Sequence, residues 1–183
     1  MNNIEIDFIF PCTNCLLLTA MFILLAGALI TTAMMSATTA FIVSTDTPPI
    51  AIKMPERPLT YTQLETLFYH TSAVTKMTIR TRLRIDFWFM PCAYLFLLCL
   101  GFYIKLNAAF NDSWNTPLSY IVYLPLLSWL FDLIENITAI KILDELTHTN
   151  AKVMYISSIL KWLTVFVFIG FLLALLVTKT IES

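Results

Sequence analysis

Glycine is nearly absent, with three residues in a chain of 183. Neither G-x-G-x-x-G nor a P-loop can be written, which excludes a glycine-rich phosphate cradle. Charge is scarce too: 13% of residues are charged, against about 25% in soluble domains. Eleven Lys and Arg against twelve Asp and Glu give a formal net charge of −1. With no basic stripe either, nucleic acid is excluded as a partner. The two histidines, His70 and His148, lie far from any Cys or carboxylate group with zinc spacing. H-E-x-x-H and G-x-S-x-G are missing. No metal and no cofactor are expected, and both histidines read as surface residues.

Apolar residues dominate what is present. They make up 58% of the chain and include fourteen Phe, which excludes disorder. A membrane-spanning helix needs about 20 mostly apolar residues. Four runs qualify, at about 15–43, 87–104, 118–143 and 154–177. The fold class is therefore all-α: a polytopic membrane protein, one domain over 1–183, built as a bundle of four transmembrane helices. Residues 1–14 carry Glu5 and Asp7 and no Lys or Arg. An acidic start before a long apolar core reads as a retained helix, not a cleaved signal.

Basic residues set an orientation. The connection at about 44–86 holds Lys53, Arg57, Lys76, Arg80, Arg82 and Arg84, and the third connection adds Lys141 and Lys152. The opposite side has only Lys105 and Lys179. Both termini are expected outside and the basic connections in the cytoplasm. The long connection opens with Pro48, Pro49, Pro55 and Pro58, an extended stretch. From Thr60 to Arg84 the pattern turns helical, with Leu64, Leu67 and Phe68 on one face. This predicts an additional helix before the second span, either lying at the membrane surface or packed on the bundle's own loops.

The third run contains the costly residues. A carboxylate at bilayer depth costs about 2.5–3.5 kcal/mol. Ser128, Asp132, Glu135, Asn136 and Ala139 are spaced by threes and fours, forming one stripe that must face the bundle interior. In the fourth run Lys161 shares a stripe with Ser157 and Thr164. Antiparallel packing brings Lys161 to the depth of Glu135, so a pair with Glu135 or Asp132 is expected. Asp86 opens the second span on the face of Met90, Ala93 and Leu97. Three acids against one Lys leave excess negative charge. A retained proton, a bound cation or an inward Arg such as Arg84 would balance it. Two functions follow for Asp86, Asp132, Glu135, Asn136 and Lys161, with Ser128, Ser157 and Thr164 in support. They form a site for a proton, cation or lipid-like ligand, or a structural network of interhelical bonds.

The first run is rich in small residues, with Gly27/Thr31, Ala33/Ala37 and Ser36/Ala40 four apart, a pattern that favours close packing. Cys12-Thr-Asn-Cys15 is chemically plausible as a redox pair at a helix start. A membrane thiol oxidase also needs a second outer pair, and the loop at 105–117 has no cysteine. Asn111-Asp-Ser113 is a glycosylation sequon on the expected outer side, and Asn136-Ile-Thr138 is a second, buried one.

Taken in order, Leu64-Glu65-Thr-Leu-Phe68, Asp86-Phe87, Asp132-Leu-Ile-Glu135-Asn136 and Lys161 form a pattern over about 60–177. It resembles an uncharacterised family of small four-helix membrane proteins, mostly bacterial, with Asp-x-x-Glu-Asn in the third helix. The resemblance implies that Asp86, Asp132, Glu135, Asn136 and Lys161 act as one site in a bacterial inner membrane, and it carries no chemistry. No nucleophile–base pair is present, so a binding or transport-type protein is favoured over an enzyme. One alternative is an accessory subunit of a membrane complex, docking a partner helix on the polar stripe. The other is a lipid-modifying enzyme with Glu135 as acid/base. Membrane lipids are the expected partners in every case.

Overall fold

The computed structural model describes residues 4–43, 59–70, 72–107 and 112–182, with side chains over 13–38, 59–65, 72–107 and 114–178. Six helices follow in order: α1 (Ile4–Val43), α2 (Tyr61–His70), α3 (Ala73–Asn107), α4 (Asp112–Ile121), α5 (Leu124–Asp144) and α6 (His148–Glu182). Four units are long and apolar enough to cross a membrane: α1, α3, α4 with α5, and α6. The chain is an all-α integral membrane protein. Several sequence features lie outside the described residues: the proline-rich stretch with Lys53 and Arg57, the Asn111 sequon, and the side chains of Cys12, Leu67, Phe68 and His70.

Within the body of the chain, element boundaries depart from the sequence reading in three places. The segment expected as one pre-span helix divides near Ser72. Its Arg-rich half is the first part of α3, which runs without a break through Pro91. Ser72 starts that helix by accepting the Thr75 N–H at 3.2 Å on its hydroxyl. The remaining half, α2, is capped at Thr60, whose N–H donates to the Gln63 side chain at 3.0 Å, one limb of a capping box. The third apolar run divides at Val122–Tyr123. Pro125 has no N–H to give the Ile121 carbonyl, and its ring crowds that carbonyl, so the ladder stops and restarts. The third connection is also shorter than expected, at residues 145–147, with Thr147 capping α6 through the Asn150 N–H at 3.2 Å.

Helix α5 is central, packing along α6 and α3. Apolar clusters close the bundle at both ends. At the end carrying the α5–α6 turn, Leu59 and Leu64 join Ile79, Leu83, Ile142 and Met154. Helix α2 is thus packed on the bundle, and Tyr61 stacks on the exposed His148 ring at a centroid separation of 3.7 Å. Around the far end Leu118, Phe168, Leu172 and Leu175 gather under the α4–α5 bend. Gly101 allows the contact there: a Cβ would stand 2.7 Å from Val122 Cγ2 and 3.4 Å from Phe168.

Helix α1 is peripheral. It packs along α3, and none of its described residues is fully buried. Leu17, Met21, Leu24, Gly27, Ala28, Thr31 and Met35 form its inward stripe. Gly27 holds the approach, since a Cβ would come 2.8 Å from Cys92 Sγ. Only part of the small-residue expectation matches the fold: Gly27 and Thr31 face α3, whereas Ala33, Ser36 and Ala37 are exposed. Asn14 and Asn107 exchange two amide hydrogen bonds, of 2.9 and 3.0 Å, at the far end of this helix pair.

Candidate functional site

Between the two apolar clusters lies a polar layer. Helical rise puts Asp86 of α3 about 20 Å from its helix start, Lys161 about 20 Å into α6, and Asp132 about 18 Å from the end of α5. The three therefore share one level. Sequence spacing alone matched Lys161 to Glu135. The observed helix ends instead match it to Asp132, with Glu135 one turn nearer the α5–α6 turn.

Lys161 reaches both acids. Its Nζ donates to Asp132 Oδ1 at 2.9 Å and lies 2.5 Å from Glu135 Oε2. Asp132 accepts a second hydrogen bond on Oδ2, at 2.9 Å, from the Tyr94 hydroxyl of α3. Asn136 Nδ2 donates to Asp86 Oδ2 at 2.5 Å, tying α5 to α3. One turn toward the far end, the Ser128 and Thr164 hydroxyls meet at 2.6 Å. Asp132, Glu135, Asn136, Ser157 and Lys161 are each at least nine-tenths buried. Seven of the eight residues expected at the site make these contacts, and Ser157 is buried on α6 one turn from Lys161.

Burying ions is expensive, and the sequence meets that cost through position. Stripe residues at three- and four-residue spacing turn Ser128, Asp132, Glu135 and Asn136 of α5 toward α3 and α6. The two carboxylates on Lys161 then offset much of its desolvation. Glu135 Oε2 takes the ion-pair contact from Lys161, and the Ser158 hydroxyl, 1% exposed, is the other polar group beside that carboxylate.

Four participants were not singled out from sequence: Tyr94, Ser158, Arg82 and Trp162. Tyr94 continues the Asp86–Met90 stripe by four residues, which was a usable signal. Within an apolar run its ring simply counted as hydrophobic. Arg84, one of the groups that could have balanced the acids, is exposed; Arg82, a half-turn away, lines the cavity beside the layer.

A cavity of about 390 Å³ opens onto the polar layer. Arg82, Asp86, Tyr94, Asp132 and Lys161 supply its polar lining, and Met35, Leu83, Phe89, Trp162 and Val165 its apolar walls. All four membrane-spanning units contribute side chains except the α4 half of the third. Glu135 and Asn136 lie behind this lining. A second cavity of about 470 Å³, at the end with the α5–α6 turn, is lined by Lys76, Arg80, Arg84 and Asp144. Arg80 and Asp144 form an ion pair there.

Among the described residues, no three His, Cys, Asp or Glu side chains converge as a metal ion requires. Cys15, Cys92 and Cys99 are free thiols. The fold and the site together define an integral membrane helical bundle with a buried ion-pair network. Comparison with protein-family models, with curated proteins and with solved structures finds no match to this chain.

Proposed function

We propose that this is a binding or transport-type membrane protein. Its interior site, Asp86, Asp132, Glu135, Asn136 and Lys161, takes a proton, a cation or a lipid-like ligand. The observation that carries this reading is the 390 Å³ cavity, which exposes Asp86, Asp132 and Lys161 between apolar walls. A purely structural network gains nothing from an open space beside its ions. Small-molecule sites combine apolar walls with a few convergent polar groups, as here. Glu135 sits behind the lining, which weakens the enzyme alternative. The polar stripe is enclosed by α3 and α6, which weakens the reading as a docking face for a partner helix.

Native mass spectrometry of the purified protein tests the proposal. Wild type should retain an adduct of discrete mass. Val165→Trp fills the cavity wall and should lose it. Equal spectra for the two would refute a ligand in the cavity.

For topology, the basic residues at one end support both termini outside, and the bacterial resemblance supports an inner-membrane location. Labelling of Lys152→Cys from outside intact cells would overturn that orientation.

A further inference from the structure

The lining of the cavity carries more information than its position. Asp86, Asp132 and Glu135 stand against Lys161 and Arg82 around one polar layer, three negative charges to two positive. With all three acids ionised, the layer carries one uncompensated negative charge. Lys161 is committed to two carboxylates, and Asp86 receives a neutral amide from Asn136 at 2.5 Å. Asp86 is also the acid that lies on the cavity lining without forming part of the Lys161 pairs.

Three aromatic rings, Phe89, Tyr94 and Trp162, line the same space. Aromatic faces beside a carboxylate attract ammonium groups and discriminate against anions. The chain already shows this chemistry with its own ammonium, since Lys161 Nζ lies 5.6 Å from the Trp162 ring centroid. Metal-like convergence of acids is missing among the described residues, which favours a diffuse organic cation over a compact ion. The apolar walls, Met35, Leu83 and Val165, suit the carbon surface of such a cation.

We infer that the cavity binds an alkylammonium group, its positive charge facing Asp86 and its carbon surface against Phe89 and Trp162. This rests on the ligand-site reading above and names the ligand's chemical class. The group can belong to a phosphocholine lipid headgroup or to a free amine.

The test uses the full chain with Trp88, Trp114 and Trp129 changed to Phe, leaving Trp162 as the sole emitter. It is placed in nanodiscs of phosphatidylglycerol, which has no ammonium. Three nitroxide quenchers of similar size are compared: a trimethylammonium nitroxide, a neutral hydroxyl nitroxide and a sulfate nitroxide. Saturable quenching by the ammonium probe alone is expected. Asp86→Asn can still accept from Asn136, and Phe89→Leu removes the aromatic face while keeping the wall apolar. Each should weaken the saturable component about tenfold, equivalent to 1.4 kcal/mol, leaving collisional quenching by the neutral probe unchanged.

In phosphatidylcholine discs, a shift of saturation to higher probe concentration identifies the lipid headgroup as the occupant. An unshifted curve identifies a free amine. Equal saturation by the neutral or sulfate probe would overturn the ammonium assignment and leave the ligand-site reading standing. Absence of saturation with every probe would also overturn it. If Val165→Trp then leaves the mass spectrum unchanged as well, the ligand-site reading fails with it.

Discussion

Replacing Lys161 by Met strips the polar layer of its central cation and leaves its shape nearly intact. Asp132 then keeps the Tyr94 hydroxyl at 2.9 Å, whereas Glu135 keeps only the neighbouring Ser158 hydroxyl. Breaking one side of a buried ion pair typically costs about 3–5 kcal/mol, and here two acids lose their partner together. The loss should fall at the upper end of that range. The rescues should be unequal. Glu135→Gln removes the acid left with only the neighbouring Ser158 hydroxyl and should restore more than Asp132→Asn, which gives up a carboxylate that the phenolic Tyr94 hydroxyl still serves. The triple change, Lys161→Met with both amides, should approach wild type because no unpaired charge remains from the two ion pairs. Unfolding free energies by steric trapping in bicelles would be measured for wild type, the three single changes, the two double changes and the triple. Strictly additive losses with no rescue would show the residues to be uncoupled. A Lys161→Met cost below about 0.5 kcal/mol would show that Lys161 is not buried with these acids. Either result would refute the network.

Other perturbations probe single contacts. Tyr94→Phe removes the donor to Asp132 Oδ2 and should cost about 1–3 kcal/mol; a smaller change in the same unfolding assay would mean that water or another donor replaces it. Gly101→Ala must displace Val122 Cγ2 from 2.7 Å and should destabilise by about 1–3 kcal/mol. Gly170→Ala meets nothing within 4 Å and should be neutral or stabilising by up to about 1 kcal/mol. Equal effects of the two glycine changes on thermal stability would refute the close approach of α3 to the α4–α5 bend.

The amino-acid sequence alone determined the solvent and the class of this protein. Four runs too long and too apolar for any soluble core force the backbone into helices, because only a helix satisfies its own peptide groups in hydrocarbon. It also determined which groups face inward. Asp132, Glu135 and Asn136 share a face through the 3.6-residue period, and no lipid-facing position would tolerate them. Local chemistry could be read incompletely at the breaks: Pro125 ends a helix that hydropathy treats as continuous, while Pro91 lies in one that continues. The partners of each inward group were decided by tertiary structure. Lys161 could have met either acid, and it meets both because α5 and α6 join through three residues, 145–147, which sets their relative register. Arg82 rather than Arg84 lines the cavity beside the layer, because α3 extends unbroken from Ala73 and so fixes the rotation of every residue after it. Tyr94 became a hydrogen-bond donor only when α3 was laid against α5. The cavity was likewise beyond any reading of one strand of sequence, since its wall is shared by α1, α3, α5 and α6. A helical period assigns each side chain to a face. Which face meets which, and whether space is left between them, depends on the joint packing of all four spans.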